Sequence, residues 1–172
     1  MFFGFKSFNK RKYKNIPSDV AQFKEDMKLV KKTLTGEETN KVDEKNKAFD
    51  GFRMVVDFET EKGEKYYNNP TAEMVGEVID QMSSNLVNFV IVEHSKSVGG
   101  CVFVQCMWGG DGVYQVEAQV VRRDSKGILH NQYREFSENK SQVKDLFRAF
   151  LSGQAPSIRD WEHMEEFDFY ED

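Results

Sequence analysis

At 172 residues, 39% hydrophobic and 13% aromatic with 15 phenylalanines, the chain is long enough to bury the core of one domain, which excludes a globally disordered protein. Its formal charge of -5 is unevenly spread: residues 1–48 hold 12 Lys+Arg against 7 Asp+Glu, about +5, while residues 49–172 hold 12 against 22, about -10. A body of that sign makes nucleic acid a poor partner, because phosphate binding needs clustered positive charge, and favours a basic protein instead.

The chain opens on MFFGFKSFNKRKYK, in which Phe2, Phe3, Phe5 and Phe8 precede Lys10, Arg11, Lys12 and Lys14. That order is wrong for a secretory signal, and no run reaches the roughly 18 apolar residues of a membrane span, so a cytoplasmic protein with a loosely packed N-terminal arm is expected. After Pro17 and Ser18, the apolar residues Val20, Phe23, Met27, Val30 and Leu34 recur at spacings of three and four. This predicts a helix packed on the core. Two heptads are too few for a coiled-coil seam, so a monomer or weak dimer is expected. The polar stretch GEETNKVDEKNK (36–47) reads as a linker. Residues 1–48 are therefore a basic arm, helix and linker, and residues 49–172 an α+β domain with an acidic C-terminal tail.

Within that domain, FRMVVDFE (52–59) and a short run ending near Tyr67 read as strands joined around Gly63. Asn69, Pro70 and Thr71 start a helix carrying Met74, Val75, Val78, Ile79 and Met82 on one face. Four strands follow between Asn88 and Phe136, with Gly109, Gly110, Asp111 and Gly112 supplying the sharpest turn signal between the middle pair. Gly100–Trp108 is apolar on both faces and reads as central. In the next strand Tyr114, Val116, Ala118 and Val120 alternate with Gln115, Glu117 and Gln119, the pattern of one wet face. The fourth strand has the mixed pattern of an edge. Val143, Leu146, Phe147, Phe150 and Leu151 then line a second helix that Gly153 stops. The expected fold is an α+β antiparallel meander sheet of about five to six strands packed by two or three helices, with an extra N-terminal helix.

Catalytic chemistry finds little support. His94, His130 and His163 lie on separate elements without zinc-ligand spacing to either cysteine, so no metal or cofactor is implied. Cys101 and Cys106, five positions apart in one strand, should face opposite sides and stay reduced and buried. The glycines of VGGC and WGGDG fit hairpin turns rather than phosphate loops. Glu117 and Glu135 are paired carboxylates only if register brings them together, and solvated strand positions are the plainer reading. A binding surface remains: Gln115, Glu117 and Gln119 as a polar ridge, Trp108 and Asp111 by the adjacent turn, and Trp161, Glu165 and Glu166 in the tail, where seven acids interleave with aromatics. Aromatic anchors ringed by charge suit protein recognition.

From NPTAEMVGEVIDQM through FVIVEHS, FVQCMWGGDGVYQVEAQ and FSENKSQVKDLFRAFLSG to Trp161, about residues 69–161, the chain resembles small immunity proteins of bacterial polymorphic-toxin systems. The resemblance implies a non-catalytic cytoplasmic protein that binds and blocks a cognate toxin domain, with Glu117 and the acidic tail facing a basic target. A different class stays open: a small-molecule-binding or enzymatic α+β domain with a pocket between sheet and helix near His94, His130 or Tyr133. A third is self-association through the Val20–Leu34 helix.

Overall fold

The computed structural model describes residues 48–58, 64–84 and 86–171. Of the arm, first helix and linker expected over residues 1–48, residues 1–47 lie outside these, as does the turn around Gly63.

Among the described residues, eight antiparallel strands form one sheet. They are β1 (Phe52–Phe58), β2 (Glu64–Asn68), β3 (Val87–Val98), β4 (Cys101–Gly110), β5 (Val113–Asp124), β6 (Gly127–Ser137), β7 (Glu162–His163) and β8 (Phe169–Tyr170). The order is β2-β1-β3-β4-β5-β6-β7, with β8 also on β6. Helix α1 (Ala72–Met82) joins β2 to β3, and α2 (Lys140–Leu151) follows β6. The α+β class and the β3–β6 meander match expectation. The strand count does not, because β7 and β8 are two-residue strands too short to show any periodicity.

Local chemistry places each boundary. Thr71 caps α1: its hydroxyl accepts from the Met74 N–H at 3.3 Å, and its own N–H turns to the Met74 sulfur at 3.4 Å. Asn139 caps α2 by accepting from the N–H groups of Ser141 and Gln142 at 3.0 and 3.2 Å. At the other end Gly153, at φ 88°, donates to the Phe150 carbonyl while Gln154 donates to Ala149, both at 2.9 Å. This is a Schellman stop, which needs the left-handed conformation glycine supplies. Asp111 and Gly112 turn β4 into β5 with φ values of 51° and 84°, the two-residue geometry that matches strand twist.

Both helices lie on one face. The Phe150 ring meets Phe52 at 5.5 Å, and the Met82 sulfur lies 3.8 Å from Cys106 Sγ. Lys140 and Lys144 of α2 clamp Asp80 of α1 at 3.2 and 2.6 Å, tying the helices together. Beneath them Met54, Val56, Val90, Val92, Val104, Val116 and Ala118 are fully buried or nearly so. The opposite face is closed as well: Val55, Ile91 and Gln105 are at most 5% exposed. In β4, Val104, Gln105 and Cys106 are buried, so both faces hold buried positions, while Phe103 and Met107 are half-buried.

A register shift between Cys101 and Phe103 changes one expectation. Cys101 pairs with Val120 and Cys106 with Val116, so both thiols fall in the row of β5 that faces the helices. Strict alternation would separate them; the extra residue restores the same face.

Candidate functional site

The most unusual side chain on the sheet is Glu117, 2% exposed in the middle of β5. Its Oε1 accepts from Gln115 Nε2 at 2.5 Å, and its Oε2 from Gln132 Nε2 at 2.5 Å and Gln105 Nε2 at 3.4 Å. Register assembles the group: Gln105 of β4 lies directly opposite Glu117, and Gln132 of β6 is the diagonal neighbour. Each amide presents N–H donors, so the carboxyl finds within the sheet the partners it leaves behind in water. The direct partner on β6, Arg134, turns instead to Glu162, reaching one carboxylate oxygen from Nε at 3.1 Å and a second nitrogen at 2.7 Å.

The expected polar ridge is therefore corrected. Gln115 and Glu117 are buried, and Gln119 is half-buried against His130, whose Nδ1 lies 3.1 Å from its Oε1. Alternation identifies a polar row, but whether that row meets water or other amides depends on Gln105 and Gln132, neither of which was singled out. The carboxylate pair is corrected too. Glu117 aligns with Arg134 and Glu135 with Val116, which puts the two acids on opposite faces.

The acidic tail is built into the fold. Met164 donates to the Gln132 carbonyl at 2.8 Å, and Glu171 to that of Ile128 at 2.9 Å, on the outer edge of β6. Between them Asp168 accepts from Asn131 Nδ2 at 2.8 Å and lies 3.0 Å from His163 Nε2. Phe169 stacks on His130 at 4.4 Å and His163 on Tyr133 at 4.9 Å. Tyr170 donates to Asp124 at 2.8 Å, a bond that raises the phenol pKa. Asp124 lies below the usual carboxylate range because it accepts first from the Lys126 N–H and then from Tyr170. Met164 is buried, while Glu165 and Glu166 project into solvent on a short 3-10 turn. Their carboxylates make no hydrogen bond or ion pair among the described residues. Trp161 is half-buried.

Trp108 and Asp111 sit elsewhere. Trp108 packs edge-on against Tyr114 at 4.9 Å, and Asp111 is exposed at the turn tip. They belong to the β4–β5 turn, whereas Trp161, Glu165 and Glu166 lie beyond β6, so the expected site residues form separate clusters.

The groups named for a small-molecule pocket also stand apart. His94 packs edge-on against Phe52 at 4.6 Å in β3, three strands and on the order of 14 Å from β6. His130 and Tyr133 of β6 differ by an odd number and face opposite sides. Burial pushes the Cys101 thiol up to about 12 and raises Cys106 further, so both are protonated at neutral pH and poor nucleophiles. Among the described residues no group of three or more His, Cys, Asp or Glu is arranged to hold a metal ion. No helix among them is long and apolar enough to cross a membrane.

No protein-family model, curated protein or solved structure matches the chain.

Proposed function

We propose that the protein is a non-catalytic binding domain that acts as a bacterial immunity protein, neutralising a basic toxin domain by direct contact. One observation carries this reading: the acidic C-terminal segment is fastened along β6 so that Glu165 and Glu166 stand in solvent with no partner among the described residues. Carboxylates carried on main chain held that way have no internal partner to give up when a cationic surface arrives, and the segment itself loses little backbone freedom. Half-buried Trp161, four positions before Glu165, supplies apolar area for the same contact. The net charge of residues 49–172, 12 basic against 22 acidic, steers a basic partner toward the body.

The test is growth protection together with complex formation. The chain is co-produced in turn with basic toxin domains drawn from the genes that neighbour its own, and affinity is measured for the wild type and for the double variant Glu165→Lys, Glu166→Lys. Protection, a stable complex and at least a tenfold loss of affinity in the double variant are expected. Absence of both complex and protection overturns the reading; an unchanged affinity removes Glu165 and Glu166 from it.

A further inference from the structure

On the edge of β6 a second surface lies apart from Glu165 and Glu166. Phe136 is 54% exposed, the most exposed large hydrophobic residue described. The carbonyls of Ile128 and Gln132 point outward to Glu171 and Met164. By alternation the main-chain N–H and C=O of Phe136 point outward as well. The C-terminal segment does not reach them. Its pairing with β6 ends at Arg134, opposite Glu162, and the preceding Trp161 N–H bonds to Ile158 instead. Beyond Phe136 the chain turns into α2 over a shallow concavity of about 730 Å³ lined by residues 136–142.

The charges around this edge are not balanced. Glu135 and Glu138 are exposed; Arg134, whose guanidinium also lies 5.2 Å from the Phe136 ring centroid, is paired with Glu162 at 2.7 Å, and Lys140 shares Asp80 with Lys144, so one lysine charge stands against the two free carboxylates. An open strand edge, an exposed aromatic ring and a local excess of one negative charge together fit one kind of occupant.

We infer that the β6 edge at Phe136 docks an extended, basic segment of a protein partner, which adds to the sheet where β7 leaves it. The segment's main chain bonds to Phe136, an apolar side chain covers the ring, and lysine or arginine side chains flanking it meet Glu135 and Glu138. This rests on the reading of the chain as a binder of a basic protein, and it locates the partner's anchor.

The probe is a blocked octapeptide of alternating lysine and valine, titrated into the isotopically labelled full chain and followed by NMR, with a glutamate–valine peptide as control. Binding of the basic peptide is expected to shift the amides of residues 134–138. It should weaken at least fivefold in Phe136→Asp and in Glu135→Lys with Glu138→Lys, with unchanged melting temperatures. Shifts confined to other strands, equal binding of the acidic peptide, or affinity insensitive to both variants overturns the assignment. Failure of toxin neutralisation with the peptide still seated at Phe136 removes the immunity reading and leaves the edge site standing.

Discussion

A carboxyl group taken out of water must find replacement donors, and for Glu117 three glutamines supply them from three strands. Glu117→Ala strands those amides in a closed interior, where each unsatisfied group costs about 1–3 kcal/mol. Urea denaturation should show a loss of about 3 kcal/mol, whereas a solvated glutamate would cost under about 0.5 kcal/mol. His130 shows the same logic with a testable sign. Its Nδ1 faces Gln119, its Nε2 is buried with no partner among the described residues, and burial holds its pKa below the ordinary value of 6.5. The unfolded chain therefore takes up the proton first as pH falls. Stability from the neutral ring is complete above pH 6.5 and is lost as pH drops through the lowered pKa, with Glu171 partly opposing the loss. The melting temperature should fall more between pH 7 and pH 5 in the wild type than in His130→Phe; parallel profiles would refute this.

At the scale of elements, periodicity made β3 to β6, α1 and α2 legible, and Thr71 and Gly153 mark helix ends that the sequence suggests, whereas the Asn139 cap emerges only in the structure. The C-terminal strands were not legible. Two-residue strands carry no repeat, and what fixes them is long-range: Asp168 to Asn131, Phe169 on His130, Tyr170 to Asp124. Asp168→Ala removes the acceptor shared by Asn131 and His163. Hydrogen exchange should quicken at Met164 and Glu171 while the amides of α2 keep their protection; uniform quickening would mean that the segment is not a separate unit. The cap at Asn139 offers a second measure, since Asn139→Ala should cost about 1 kcal/mol in thermal unfolding. The buried polar face was half legible, because sequence showed the alternating row in β5 but not that Gln105 and Gln132 would meet it.

Across the whole molecule, the charge division between residues 1–48 and 49–172 is readable from the sequence, whereas the positions of exposed and engaged charges are not. Of the acids in the C-terminal segment, Glu162 and Asp168 make internal contacts, while Glu165 and Glu166, like Asp160 and Glu171, are exposed. If these steer a basic partner, association should slow as salt rises, and Glu165→Lys with Glu166→Lys should flatten that dependence. A salt-independent association rate would count against steering.

The register shift near Cys101 has a practical consequence. With both thiols turned toward the helices and their pKa values raised by burial, neither reacts until the sheet parts from its cover. The two cysteines are thus native clocks: the rate at which a disulfide reagent modifies them reports how often the core opens, with no label introduced.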